Sequence, residues 1–318
     1  MSILITGGSG LVGTNLARHL GGQGRQVVIY DVVARAPSFL EELVSKGKVI
    51  FERGDILDFS KLLRTLKEHQ VTDVVHMASL LAEPESKERP LQFAMVNIQG
   101  TMVTLEASRY YGVRRVIYVS TRSIYGEYLP EEGPIKEDFV FRPVAFYGAS
   151  KCAADLLART YRKAYGFDVS AVRITGVYGP AQTYPHPLYN FLKQALEGKE
   201  IYQDRGGDYL YEFTYVHDVV RGLLLLLKAP SLKHDAYNLA TGIQVKLNDV
   251  GRAVSMAVPG AKIKIGPGLP EGSIPRAALD IRRLREELGF EPRYDLRRGV
   301  DLFAKYMRDQ SYEDIDRL

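Results

Sequence analysis

Residues 6–13 read TGGSGLVG, and these eight positions decide the fold. An apolar run, SILIT (2–6), precedes them, and LVGTNLARHL follows with helical periodicity. Gly8, Gly10 and Gly13 fit G-x-G-x-x-G, while Gly7, Gly10 and Gly13 fit the neighbouring G-x-x-G-x-x-G form. A glycine pattern between a strand and a helix allows a tight turn, close approach of backbone to a pyrophosphate, and helix–strand packing. The helix N-terminus then offers N–H groups and a favourable dipole to the anion. Asp31 ends the next apolar run, 18 residues after Gly13. A carboxylate there accepts both ribose hydroxyls of NAD and repels a 2′-phosphate, so NAD is expected rather than NADP. Arg35 lies near enough in sequence to complicate that preference, and Asp31 also reads as a turn residue. Asp55, at the end of the third run, falls where an adenine would rest, or it caps a turn.

Outward from this loop, strand-like and helix-like segments alternate. QVVIYD (26–31), KVIFERGDI (48–56), DVVHMAS (73–79), RVIYVS (115–120) and DVSAVRIT (168–175) read as further strands. Helical patterns lie between them, most clearly at 58–69 and 91–111. The strands are apolar on both faces, as strands covered by helices on both sides must be. The expected fold is α/β: a Rossmann-like, doubly wound parallel sheet with a smaller C-terminal α/β substrate-binding region. Residues 1–175 form the expected NAD-binding domain. Residues 176–318, punctuated by YGPAQTYPHP and IGPGLPEGSIP, form mainly the substrate region, with some segments returning to the first domain.

The chain has 318 residues, 46% hydrophobic and 25% charged, with formal charge +4 and pI near 8.9. Basic residues are mixed with acids, and the densest stretch, DIRRLREELGFEPRYDLRRGV, reads as solvated helix faces rather than a nucleic-acid patch. One cysteine, Cys152, forbids an internal disulfide and suits a reducing compartment. The N-terminus begins a strand at once, and the longest apolar run, GLLLLLKAP (222–230), is too short to cross a bilayer. A cytoplasmic protein without membrane or nucleic-acid partners is expected. His186 and His217 lack metal-ligand spacing, so no metal is expected.

FYGASKCAAD (146–155) places Tyr147 and Lys151 at i and i+4, on one helix face. Alone, that spacing describes an exposed amphipathic helix. Behind a dinucleotide loop it describes an acid/base pair, because an ammonium stabilises phenolate and lowers a tyrosine pKa. VSTRSIYG (119–126) ends the fifth strand with Ser120, Thr121 and Ser123, at the strand ends where doubly wound folds bind ligands.

The chain resembles the extended short-chain dehydrogenase/reductases of the NAD-dependent epimerase/dehydratase type. TGGSGLVG, Asp31, GDI, HMAS, VNIQGT, VSTRSIYG, YGASK, VRITGVYGP and FTYVHDVVRG carry the resemblance, in family order and over nearly the whole chain. It implies that Tyr147 is the acid/base, Lys151 its partner and a ribose ligand, and Thr121 the catalytic hydroxyl. The implied cofactor contacts are Gly7, Gly10, Leu11, Val12, Asp31, Asp55, Ile56, Met77, Ala78 and Asn97, with Tyr147 and Lys151. It also implies a homodimer paired through helices 91–111 and 147–165.

The departures concern the substrate side, where Ser79, Arg122, Ser123, Gly176 and Tyr211 are the candidates. Nucleotide-sugar members usually carry asparagine where this chain has Gly176, and arginine where LYEFTYVHD has Tyr211 and Glu212. GLPEGSIP supplies no obvious second arginine. Losing bidentate clamps argues against a nucleotide diphosphate handle. Arg122 and Ser123 replace the Asp-Glu pair of sugar dehydratases, and Arg122 either meets a substrate carboxylate or lies on the surface. The segment HMASLLAEPESKERPLQFAMVNIQGT is similar to short-chain threonine dehydrogenases and related hydroxy-acid or sugar-acid dehydrogenases. The resemblance implies NAD-dependent hydride transfer at a secondary hydroxyl of a sugar, sugar acid or similar small polar substrate. The alternative is epimerisation through transient oxidation, and the third reading is a non-catalytic NAD-binding regulator.

Overall fold

Short runs of branched apolar residues with no polar face build a sheet buried on both sides. The computed structural model describes residues 2–81, 83–271 and 276–312. Its strands are β1 (Ser2–Thr6), β2 (Gln26–Asp31), β3 (Val49–Arg53), β4 (Val71–His76), β5 (Arg115–Thr121), β6 (Val169–Ile174) and β7 (Ala236–Leu239). They lie in the order β7-β6-β5-β4-β1-β2-β3, every pair parallel. The order reverses between β1 and β4, which opens a crevice at their carboxyl ends.

The main helices are α1 (Leu11–Gly22), α2 (Phe59–Glu68), α3 (Gly100–Tyr111), α4 (Phe146–Tyr165), α5 (Pro187–Leu196), α6 (Val216–Lys228), α7 (Leu247–Ala257) and α8 (Leu296–Asp309). Alternation along β1 divides the core. Ile3 and Ile5 pack with Leu16 and Leu20 of α1 and Val219 and Leu223 of α6. Leu4 packs with Leu62 of α2, Leu105 of α3 and Ala154 and Ala158 of α4. Each fully buried Leu, Ile or Val contributes about 1.5–3 kcal/mol of transfer free energy. A third core joins α5, α7 and α8 through Leu188, Leu192, Val250, Val254, Val300 and Phe303.

Three details differ from the sequence reading. The third strand stops at Arg53, because Gly54–Ile56 turn away from the sheet. The fourth begins at Val71 and ends at His76, so Met77–Ser79 form a loop. The helix expected at 91–111 starts as Pro90–Phe93 and continues as a π-helical turn, Ala94–Gln99, before α3. The apolar run at 222–230 is most of α6, with Gly222 pressed against Leu239 of β7. Arginines of the C-terminal stretch are paired with acids: Arg282 with nearby Asp280, Arg285 with nearby Glu291, and Arg283 with distant Glu137. Among the described residues no helix is long and apolar enough to cross a membrane.

Candidate active site

The glycines of the first loop carry distinct burdens. Gly7 adopts φ +65°, and a Cβ there would lie 2.6 Å from the Ala78 backbone nitrogen. Gly7 therefore lets the β1 and β4 loops touch. A Cβ on Gly13 would lie 2.6 Å from Gly8 Cα, so Gly13 seats α1 against the loop. Gly10 is different: its Cβ would meet only the Gly7 carbonyl, at 3.4 Å. It caps α1 without any side-chain hydrogen bond, which leaves an open cradle at the helix N-terminus beside Leu11 and Val12. That cradle suits a phosphate-bearing cofactor.

Asp31 lies beside the same loop. One carboxylate oxygen accepts from the Ser9 amide at 3.0 Å, and the other from Val33 at 3.4 Å. Arg35 is exposed and takes part in neither bond. Met77 donates its amide to the Thr6 carbonyl at 3.0 Å, and Ser79 Oγ donates to the Met77 carbonyl at 3.3 Å. Asp55 is exposed, with Oδ1 accepting from the Leu57 amide at 2.9 Å, the turn-forming arrangement. Ile56 is committed to the core, so its side chain is not available to a ligand.

Asn97 sits in the π-helical turn, 1% exposed. Its carboxamide accepts from Leu80 N at 2.8 Å and donates to Leu80 O at 3.2 Å and Ser150 Oγ at 2.9 Å. Ser150 in turn donates to the Tyr147 carbonyl at 2.8 Å. Asn97 thus ties the β4 loop to the start of α4, a bracing part that its position in VNIQGT does not disclose.

Thr121, Tyr147 and Lys151 come together where α4 crosses the end of β5. A Cβ on Gly148 would lie 2.7 Å from the Ser123 carbonyl, so only glycine lets the helix begin this close. One turn later Lys151 Nζ donates to the Val119 carbonyl at 2.8 Å and lies 4.4 Å from the Tyr118 ring centre. Thr121 stands between these two anchors, 9% exposed, with Oγ1 accepting the Ser123 amide at 3.2 Å. The Tyr147 ring meets Phe93 edge-on at 6.5 Å.

Burial brings the Lys151 ammonium down to about 7, against the opposing attraction of Asp155. Asp155 is fully buried and paired with Arg173 at 2.9 Å, and Arg173 also donates to Tyr125 Oη at 2.6 Å. Below them His76 is held neutral by burial, its pKa down to about 3. Its ring nitrogens meet the Thr6 and Thr101 hydroxyls at 2.6 and 3.0 Å. The periodicity of α4 could have revealed Asp155, four residues beyond Lys151; Arg173 and His76 left no local signal.

On the substrate side, Arg122 reaches across to the Ala277 carbonyl at 2.9 Å. Glu212 is 4% exposed and accepts the Gly242 and Leu279 amides at 2.9 and 3.0 Å; burial raises it to about 7, partly offset by Arg122. Tyr211 stacks on Phe213 at 5.2 Å, and Gly176 lies in a short strand paired with Phe213–Tyr215. A Cβ on Gly176 would press on the Phe213 ring at 3.2 Å. Aromatic rings therefore pack around the positions where the resemblance implies an asparagine and an arginine in nucleotide-sugar members. Of GLPEGSIP, residues 272–275 lie outside the described residues. His186 caps α5, and His217 meets Tyr294 Oη at 3.3 Å. Among the described residues no cluster of three or more His, Cys, Asp or Glu is placed to hold a metal.

Residues 3–240 match the family described as "NAD dependent epimerase/dehydratase family". The chain is 29% identical over 315 residues to a UDP-glucuronate 4-epimerase of Thermodesulfobacterium geofontis, covering 96% of each. It is 30% identical over 323 residues to a UDP-glucose 4-epimerase of Mycolicibacterium smegmatis, covering 98% of this chain and 100% of the relative. A UDP-glucose 4-epimerase of Thermus thermophilus, solved in complex with NAD, superposes with TM-score 0.84 at 29% identity, covering 98% and 100%.

Proposed function

Because the chain belongs to the NAD dependent epimerase/dehydratase family, we propose that it is an NAD-dependent sugar epimerase, oxidising a secondary hydroxyl and then restoring it on the opposite face. What supports this reading is that α4, which carries Tyr147 and Lys151, meets the end of β5, which carries Thr121. This junction lies on the crevice side of a loop whose Gly10 leaves a cradle. Bound NAD supplies the hydride acceptor and donor.

Tyr147 takes the hydroxyl proton, and its phenolate is stabilised by the nearby Lys151 ammonium. Thr121 hydrogen-bonds the same oxygen and holds it in line. Gly10 and the first turn of α1 receive the pyrophosphate, and Asp31 the ribose. Asn97 keeps the β4 loop fixed to α4 while the proton moves. Return of the hydride is preferred to net oxidation because epimerases match this chain over nearly its full length. Net oxidation is the second reading, favoured by the aromatic residues that replace the expected diphosphate clamp.

The test is to incubate the enzyme and NAD with free and nucleotide-linked sugars, following NADH and separating the product isomers. An epimer without accumulating NADH supports the proposal. Stoichiometric NADH selects the dehydrogenase, and tight NAD binding with neither product selects a regulatory protein.

We also infer a homodimer. Leu91 and Tyr110, 74% and 72% exposed, and Leu156 and Tyr165, 48% and 57%, project from the two helical segments that the resemblance pairs. Burying them against a second copy removes exposed apolar surface. Light scattering that gives the monomer mass at micromolar concentration would refute this.

A further inference from the structure

Two guanidinium groups lie within electrostatic reach of each other with donors left over. Arg122 leaves the end of β5 directly after Thr121 and donates through Nη to the Ala277 carbonyl at 2.9 Å. Arg276 precedes Ala277 on the facing segment, which Gln244 anchors at the Arg276 carbonyl. The Nε atoms of both arginines are buried and have no hydrogen-bond partner among the described residues.

Glu212 attracts Arg122 without bonding to it. Both of its oxygens are engaged by the Gly242 and Leu279 amides, and no ion pair joins it to either arginine among the described residues. Even with Glu212 ionised, two cations face one anion, so at least one positive charge is left over. A buried donor without an acceptor is unfavourable, most of all on a charged group. A planar monoanion relieves that, because a carboxylate matches the guanidinium fork through two parallel bonds. Arg122 directly follows Thr121 in the chain, so an anion held by Arg122 lies within a sugar's length of a hydroxyl that meets Thr121.

We propose that Arg122 and Arg276 form a carboxylate subsite, and that the substrate is a sugar acid. This rests on the hydride-transfer reading above. Glu212, fixed between two amides, stands beside Arg122 as a partial counter-charge that admits one anion and disfavours a dianion.

The experiment measures binding by calorimetry to the NAD-loaded protein. The probes are glucuronate against glucose and UDP-glucuronate against UDP-glucose, with Arg122→Leu, Arg122→Lys and Arg276→Gln beside the wild type. In at least one pair the acid should bind about thirtyfold tighter than its neutral counterpart. That preference should vanish in Arg122→Leu, weaken in Arg276→Gln and return in part in Arg122→Lys. Should Arg122→Leu fail to fold, the other two variants decide. Equal binding of acid and neutral sugar, no binding of either acid, or a preference that survives Arg122→Leu and Arg276→Gln overturns the subsite. Turnover separates the two ideas. Arginine-dependent binding of an acid with no epimer and no NADH sinks the hydride-transfer reading alone. Epimer formed without preference for the acid sinks the subsite alone.

Discussion

Lys151 Nζ and the Val119 carbonyl lie 2.8 Å apart, and this bond joins the fourth helix to the fifth strand two residues before Thr121. Lys151 is 3% exposed, so its ammonium serves as a charge placed inside the protein rather than a surface cation. Tyr147 lies one turn earlier on the same face of α4, and Thr121 ends the strand that Lys151 bonds.

Tyr147→Phe removes the acid/base oxygen and keeps the ring that meets Phe93. Turnover should fall about 10²–10⁴-fold, the usual contribution of general acid–base catalysis. NAD affinity, measured by calorimetry, should change little. Turnover near the wild-type value would remove Tyr147 from the mechanism.

Lys151 makes stability depend on pH in a definite direction. Its folded-state pKa is depressed to about 7 by burial, below the ordinary lysine value of 10.5. Between those values the unfolded chain binds the extra proton, so Lys151's contribution to stability rises with pH. Below about pH 7 both states are charged and the burial penalty is complete. Lys151→Met should therefore gain Tm relative to wild type at pH 6, and the gain should shrink as pH climbs toward 10. A difference in Tm that is flat across this range would contradict the depressed pKa.

Glu212 behaves oppositely. Burial raises its folded-state pKa from 4.5 to about 7. The folded protein holds the proton longer, so this contribution to stability is complete below about pH 4.5 and lost as pH rises through 7. Compared with Glu212→Gln, the wild type should lose Tm between pH 5 and 8. Parallel pH profiles for the two proteins would count against a protonated Glu212.

Asp155→Asn strips the buried partner from Arg173, both being fully buried. Removing one member of such a pair costs about 3–5 kcal/mol, because the remaining charge is uncompensated. Asp155 also favours the charged form of Lys151. Urea denaturation should show the loss, and any activity limb governed by Lys151 should move to lower pH. Stability equal to wild type would mean that Arg173 is satisfied by Tyr125 and the Glu137 carbonyl alone.

Local chemistry was legible in the sequence, and long-range pairing was not. The first six strands announce themselves as apolar runs between turn residues. TGGSGLVG spans one strand–loop–helix junction, Asp31 ends one strand and the Tyr147–Lys151 spacing lies within one helix, so each is readable over a few residues. β7 is four residues long and enters from the C-terminal region, and only its parallel pairing with β6 identifies it. Glu212 meets Leu279, and Arg122 meets Ala277, across separations of 67 and 155 residues. No spacing rule reaches that far. Asn97 shows a further limit: the residue was visible, but its bonds to Leu80 and Ser150 exist only once the π-helical turn has formed.

The first loop separates folding from binding at two glycines. Gly7→Ala forces a side chain into φ +65° and against the Ala78 backbone, neither of which a rotamer change can relieve. An L-residue held in the left-handed region costs about 1–2 kcal/mol, before the clash is counted. Its Tm should fall, and NAD binding should fall with it. Gly10→Ala meets only the Gly7 carbonyl at an ordinary 3.4 Å and keeps a negative φ, −74°. Its fold should survive with Tm close to wild type. The added methyl occupies the cradle at the N-terminus of α1, so NAD affinity should drop while stability does not. Calorimetry and thermal unfolding on the two variants distinguish these outcomes. Undiminished NAD affinity in Gly10→Ala would place the pyrophosphate elsewhere.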